Sequence, residues 1–174
     1  MLYQLSVLAL VIPLIGGILA GFLGKTIGKT FTNTVTIFSV LASFLISSYI
    51  LYTILNQPDL ILNQNIYRWL EIGSYSFNIG LLIDNLTASM MVVVTFVSLM
   101  VHIYSIGYMH DDPGYHRFFS YISLFTFAML SLVMANNFLQ LFFGWEAVGV
   151  MSYLLIGFWF TKESAIKANF KAFI

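Results

Sequence analysis

Long apolar stretches dominate the chain and are separated by short polar segments. A helix that crosses a bilayer needs about 20 mostly apolar residues. Five stretches approach or exceed that length: 2–23, 34–55, 82–109, 118–135 and 138–160. The alternating segments of roughly 10 residues that are typical of a membrane β-barrel are not seen. The pattern therefore predicts an all-α, polytopic transmembrane bundle of five helices, with an external loop at 56–81.

Composition supports a membrane protein and excludes several other classes. Only 8% of the residues are charged, whereas a soluble domain carries about 25%. The formal net charge of zero argues against a nucleic-acid partner. The chain has no cysteine and no Walker, Rossmann or His-Glu-x-x-His motif. The sequence therefore indicates no nucleotide, redox cofactor or metal site within this chain.

The distribution of basic residues predicts the orientation. Six of the seven follow the first, third and fifth predicted helices: Lys25, Lys29, Arg117, Lys162, Lys167 and Lys171. Only Arg68 falls in the other set of loops. By the positive-inside rule, the loops with six cations face the cytoplasm or an organelle matrix, and the N-terminus lies outside.

The segments before and after the last apolar stretch give two further expectations. Only Asn136 and Asn137 separate the fourth and fifth predicted helices, so these two helices should form a tight antiparallel hairpin. Near residues 171–174 the chain turns apolar again. We expect a sixth helix to start there, and we expect the chain to be the N-terminal part of a longer protein.

The third predicted helix carries a stripe of mostly polar residues at helical spacing. Its members are Asp84, Thr87, Met91, Thr95, Ser98, His102 and Ser105. Such a stripe faces other helices or water and avoids lipid. Two interpretations remain open, namely hydrogen bonding between helices and a hydrated proton path that ends near His102. Asp84 is expected at the outer interface.

Glu146 is the one charged residue predicted to lie deep in the membrane. It is the ninth residue of the fifth predicted helix, about 12 Å from the outer end at 1.5 Å per residue. A charge near a helix centre costs about 2.5–3.5 kcal/mol. Tyr153 follows on the same face. A packing role remains open, but proton transfer or ion binding is the favoured interpretation of Glu146.

Three runs in the second half of the chain carry a family resemblance. They are LLIDNLTASM, VHIYSIGYMHDDPGYHRFFSYISLF and NNFLQLFFGWEAVGVMSYLLIGFWF. Together they resemble the antiporter-like membrane subunits of respiratory complex I, and within that family the subunit called L or chain 5. The resemblance is specific over residues 80–174, whereas the first two helices are alike mainly in hydropathy.

The resemblance implies a membrane-arm subunit of a proton-pumping NADH-quinone oxidoreductase, in a bacterial plasma membrane or mitochondrial inner membrane. Glu146 would then belong to a Glu–Lys proton-transfer pair, with the lysine on a seventh helix beyond residue 174. NADH, flavin, iron–sulfur clusters and quinone would be bound by partner subunits, and this chain would hold no redox centre. Two alternatives remain: a subunit of an Mrp-type cation/proton antiporter without electron transfer, and a structural scaffold.

Overall fold

The structure, a computed structural model, describes residues 1–57, 60–73 and 75–173. The elements in chain order are α1 (Leu2–Ile27), α2 (Lys29–Asn56), β1 (Leu62–Ile72), β2 (Tyr75–Ile83), α3 (Asn85–Tyr108), α4 (Tyr115–Val133), α5 (Phe138–Ile156) and α6 (Glu163–Phe173). Within this part of the chain, α1 to α5 are the helices long and apolar enough to cross a membrane. The prediction of a polytopic bundle with five spanning helices is confirmed.

Helices α1 to α4 form the packed body of the molecule. α1 packs against α2 and α4, and α3 also packs against both α2 and α4. Small residues permit the close approach. A Cβ added to Gly17 of α1 would lie 3.2 Å from the Ser120 carbonyl oxygen of α4, and the Ser120 hydroxyl donates to the Gly17 carbonyl at 2.7 Å. α5 packs against α4 and α6 and is added to the side of this body.

Several predicted helix bounds differ from the observed ones, and the sixth helix begins at Glu163, earlier than the expected start near residues 171–174. α1 and α2 extend through the predicted polar gap at 24–33 and are separated only by Gly28. Gly28 has a φ of 116°, a conformation that glycine adopts without a steric penalty. α5 ends at Ile156 and not at Phe160, because Phe158 turns back and packs, 5% exposed, in a cluster with residues of α4.

The predicted external loop at 56–81 is largely an antiparallel β-hairpin. The register runs from Leu62 opposite Ile83 to Ile72 opposite Tyr75, while residues 58, 59 and 74 lie outside the described part. β2 also bonds to the α4–α5 turn, where the Leu82 N–H donates to the Met134 carbonyl at 3.0 Å. We call the hairpin with this turn the hairpin end of the bundle.

The opposite end of the bundle brings the basic residues together. Here α1 ends and α2 begins, and the α3–α4 loop and the α5–α6 turn lie beside them. Contacts join these segments: Lys29 donates to the His110 carbonyl, and the Tyr115 hydroxyl donates to the Asn33 side chain at 2.6 Å. We call this the cationic end, because the six basic residues named above belong to its segments.

Candidate functional site

Glu146 lies on α5, the least buried of the five spanning helices. Gly144 is the buried residue of α5, whereas each of the other four helices buries seven or eight residues. The reason is that, among the helices of the packed body, α4 provides the main contact with α5. A Cβ on Gly144 would lie 2.8 Å from Cα of Leu132, so the glycine allows this contact. Glu146 is exposed on another face of the helix.

Glu146 shares its face with residues that leave space for a neighbour. Val150 is 44% and Tyr153 is 37% exposed. A Cβ added to Gly149 would meet no described atom within 4 Å. Among the described residues, no ion pair involves Glu146. The carboxylate is therefore halfway along an apolar helix, without a counter-charge from the rest of the described chain.

Hydrogen bonds fix the start of α5 at the hairpin end. The side-chain oxygen of Asn137 accepts from the Gln140 backbone N–H at 2.9 Å and caps the helix. The Asn137 amide group donates to the Asn78 carbonyl of β2 at 2.8 Å, and the Gln140 side chain accepts from the Gly80 N–H at 3.0 Å. The hairpin thus sets where α5 begins, and so the position of Glu146 along it.

Side chains of the cationic end hold the other terminus of α5. Arg117 of α4 donates from Nη2 to the Phe158 carbonyl at 3.2 Å. Its guanidinium group lies 4.8 Å from the ring centroid of Phe158 and 5.1 Å from that of Phe160. The Trp159 indole donates to Asp112 at 2.8 Å. Because α5 buries so little of its own surface, these polar contacts at both termini supplement its packing against α4 and α6.

The polar stripe of α3 lies mostly inside the bundle. Its buried members are Thr87, Met91, Thr95, His102 and Ser105, and Ser98 is half-buried. Asp84 caps the helix, where its carboxylate accepts from the Thr87 N–H at 2.7 Å. Thr95 donates to the Met91 carbonyl at 2.7 Å. Asp84 is thus at the hairpin end, and most of the stripe faces protein.

His102 bonds within α3 through one ring nitrogen and to α4 through the other. Nδ1 lies 2.8 Å from the Ser98 carbonyl oxygen, which can only accept, so Nδ1 carries a proton. Nε2 lies 2.9 Å from the Ser123 hydroxyl of α4. The Ser98 hydroxyl in turn lies 2.5 Å from the Thr126 hydroxyl. Each polar atom of the fully buried His102 side chain therefore has a partner.

The structure brings the α3 stripe to α4 but does not join it to Glu146. In the described residues, no hydrogen bond or ion pair links the carboxylate to Thr95, Ser98 or His102. The partners on α4, Ser123 and Thr126, were not singled out from the sequence. Ser123 and Thr126 are three residues apart, which places them on one face of α4, and this spacing is the sequence signal that could have identified them.

The histidines of the cationic end have separate partners. His110 bonds to Asp111 at 2.9 Å, and this hydrogen bond, with the histidine charge, lowers the pKa of the Asp111 carboxyl. His116 bonds to the Thr32 hydroxyl at 2.8 Å. Within the described ranges, no group of three or more His, Asp or Glu side chains could hold a metal ion.

Two family models match the chain. The model described as NADH-ubiquinone oxidoreductase (complex I), chain 5 N-terminus, matches residues 69–119, which include His102. The model described as NADH:quinone oxidoreductase/Mrp antiporter, TM, matches residues 135–174, which include Glu146. Both polar regions described above therefore fall within matched segments.

Curated relatives match over a larger part of the chain. NADH-quinone oxidoreductase subunit L of Neisseria meningitidis serogroup A is 60% identical over 139 residues, which cover 79% of this chain and 21% of the relative. NADH-ubiquinone oxidoreductase chain 5 of Dictyostelium citrinum is 46% identical over 168 residues, which cover 97% of this chain and 25% of the relative. The chain thus spans a quarter or less of the length of these relatives.

A solved structure has the same fold. It is a chain of the membrane-bound sulfane sulfur reductase, an archaeal respiratory membrane complex, with a TM-score of 0.81 and 18% identity; 97% of this chain and 33% of that chain are covered. At this identity the likeness concerns the fold alone. On the evidence of the family models and the curated relatives, the chain belongs to the antiporter-like family of complex I membrane subunits that includes subunit L and chain 5.

Proposed function

We propose that this chain is part of a proton-translocating membrane-arm subunit of an NADH-quinone oxidoreductase, in which Glu146 takes up and releases the transferred proton. The observation that carries the proposal is an ionisable side chain midway along a spanning helix, on a face that the described residues leave open. Electron transfer from NADH to quinone takes place in other subunits and supplies the energy.

The position of Glu146 makes a purely passive role unfavourable. α5 has 19 residues, about 28 Å at 1.5 Å per residue, and Glu146 lies about 12 Å from its start. A charge at such a depth costs about 2.5–3.5 kcal/mol in insertion experiments. A group with this cost persists where it is paired or where its protonation is used. In the proposed mechanism, Glu146 is paired with a lysine and its change of protonation is used to transfer the proton.

The partner in the proposed mechanism is a lysine on a helix after residue 174, as the resemblance implies. When the two groups are close, the ammonium stabilises the Glu146 carboxylate, and when they separate, the carboxylate takes up a proton. Two unit charges 4 Å apart interact by about 4 kcal/mol at an effective dielectric of 20. Moving one charge against 100 mV requires about 2.3 kcal/mol. The energy needed to separate one such pair is therefore comparable to the energy needed to move one proton across the membrane.

The proposed orientation places the cationic end toward the cytoplasm or matrix and the N-terminus outside. It rests on the six basic residues at the cationic end, against Arg68 alone in the hairpin. Partners in the proposal are the other membrane-arm subunits, which would cover the open face of α5 together with later helices.

The second candidate function is a subunit of an Mrp-type cation/proton antiporter. The description of the family model over residues 135–174 names both NADH:quinone oxidoreductases and Mrp antiporters, and this supports the second candidate. The two differ in their energy source. In membrane vesicles, the proposed function requires proton uptake that is driven by NADH oxidation, whereas an Mrp-type antiporter exchanges sodium for protons when NADH is absent.

The main test is Glu146→Gln in the full-length protein within its complex, because glutamine keeps the size and hydrogen-bonding capacity but cannot ionise. We expect proton pumping to fall about 100-fold, the low end of the contribution of a positioned proton carrier, with coupled NADH oxidation reduced. Glu163→Gln is the matched control, because Glu163 is an exposed carboxylate that pairs with Lys167 on the surface. Normal pumping by an assembled Glu146→Gln complex would contradict the proposal and leave a structural scaffold.

A further inference from the structure

A cavity of about 670 Å³ opens at the cationic end, between the end of α1 and the start of α4. α1 contributes Gly21, Phe22 and Lys25 to its wall, and α4 contributes Arg117 and Tyr121. The cavity is separate from Glu146, so the inference drawn from it does not depend on the proposed proton transfer.

Two cations in the cavity wall, Lys25 and Arg117, can still bind an anion. Lys25 is exposed in the last turn of α1, and among the described residues it forms no ion pair. Arg117 donates from Nη2 to the Phe158 carbonyl, while its other terminal nitrogen, Nη1, makes no hydrogen bond within the described chain. A guanidinium group with free donors beside an ammonium group is suited to phosphate oxygens.

No carboxylate belongs to the described lining of this cavity. Asp112, in the adjoining loop, is occupied elsewhere: it accepts from the Gly114 N–H at 2.7 Å and from the Trp159 indole at 2.8 Å. The lining itself therefore carries two positive charges, and the negative charge of Asp112 lies beside Gly114 of that lining. The cationic end as a whole has six basic residues against Asp111, Asp112 and Glu163, so it attracts anions from the nearby leaflet.

Two aromatic side chains, Phe22 and Tyr121, also belong to the cavity wall. Phe22 is 80% exposed, and it precedes Lys25 by less than one helical turn. Tyr121 lies one turn after Arg117 on α4. An occupant that matches this wall has a phosphate for the two cations and an apolar chain for the two rings. We propose that this cavity binds an anionic phospholipid, whose phosphate group contacts Lys25 and Arg117 and whose acyl chain lies along Phe22 and Tyr121.

A free phosphate ion fits this arrangement less well, since it would use the cations and leave the exposed Phe22 ring without a partner. A membrane protein also meets lipids at a far higher local concentration than soluble anions. One basic residue near a membrane surface contributes about 1 kcal/mol to anionic lipid binding, which corresponds to about a fivefold change in affinity. Loss of Lys25 should therefore be measurable.

The test uses the full-length protein in its complex, placed in phosphatidylcholine vesicles with a small fraction of photoreactive phosphatidylglycerol. After illumination, mass spectrometry measures the label on the peptides that contain residues 21–25 and 113–121. We expect Lys25→Gln to lower the labelling about fivefold and Lys25→Arg to restore it. Lys171→Gln is the matched control, because Lys171 is a cation at the same end of the bundle but outside the cavity wall.

Two further arms identify the ligand. Photoreactive phosphatidylcholine should label the cavity only weakly, and an excess of inorganic phosphate should not compete with the phosphatidylglycerol probe. The proposal is overturned if Lys25→Gln and Lys171→Gln behave alike, if both lipids label equally, or if inorganic phosphate displaces the label. Normal proton pumping in Lys25→Gln is compatible with the proposal, because the site is separate from Glu146.

Discussion

α3 and α5 both carry polar groups through an apolar span, but they place them in opposite surroundings. In α3, Thr95 and His102 are fully buried and hydrogen-bonded. In α5, Glu146 is exposed, and within the described chain it has no ion-pair partner. Buried polar groups with complete hydrogen bonding are explained by packing, whereas the carboxylate of α5 has no such explanation.

The two polar regions thus differ in hydrogen-bond satisfaction as well as in residue type. A histidine is an obvious candidate for proton transfer, yet both ring nitrogens of His102 are in use between α3 and α4. The Glu146 side chain is instead exposed on a face of α5 away from Gly144. Three substitutions test whether the packed and open faces differ as described.

The largest effect is expected at the contact between α4 and α5. Gly144→Ala places a Cβ 2.8 Å from Cα of Leu132, and overpacking of this kind costs roughly 2–3 kcal/mol. Gly149→Ala is the control on the open face, where no described atom lies within 4 Å, and should change stability by less than about 0.5 kcal/mol. Unfolding in mixed detergent micelles measures both. Equal destabilisation by the two changes would mean that the face of Gly149 is not open.

The next effect is expected at the buried histidine. His102→Leu removes the bonds to α4 and leaves the Ser123 hydroxyl without its partner, which costs about 2 kcal/mol of unfolding free energy. The double change His102→Leu with Ser123→Ala removes both polar partners and should recover much of that loss. A double variant that is destabilised by the sum of the two single changes would show that the two side chains do not act as a pair.

The smallest effect is expected at the start of α5. Asn137→Ala removes the helix cap and the bond to Asn78 and should lower the unfolding free energy by about 1 kcal/mol. Asn137→Asp keeps an oxygen for the Gln140 N–H but loses the donor to β2, so its effect should be smaller. If aspartate is as destabilising as alanine, the cap is not what stabilises the start of α5.

The apolar pattern was sufficient to predict the five spanning helices, because each needs a long apolar run. It did not predict the β-hairpin, although Tyr75, Phe77, Ile79, Leu81 and Ile83 alternate with other residues in the manner of a strand. A search for runs of about 20 residues overlooks such short alternation. The end of α5 was also missed. Phe158 is apolar, so hydropathy cannot tell whether it continues the helix or turns back into the cluster that it joins.

The candidate site divides in the same way. The sequence correctly placed Glu146 midway along the fifth helix and aligned the α3 stripe, because both follow from spacing along one helix. It could not predict that Ser123 and Thr126 of α4 meet that stripe, or that the hairpin bonds to the start of α5. These contacts join segments that are distant in the sequence. The spacing of residues along one helix does not indicate which other segment packs against that helix.

The most direct test of the central claim compares Glu146→Gln with His102→Leu in the full-length protein within its assembled complex. The measurement is the number of protons pumped per NADH oxidised, taken with the unfolding free energy of each variant. The account predicts that Glu146→Gln loses pumping but keeps its stability, while His102→Leu loses stability but pumps normally per NADH. Loss of pumping in a normally assembled His102→Leu complex, together with normal pumping in Glu146→Gln, would contradict it.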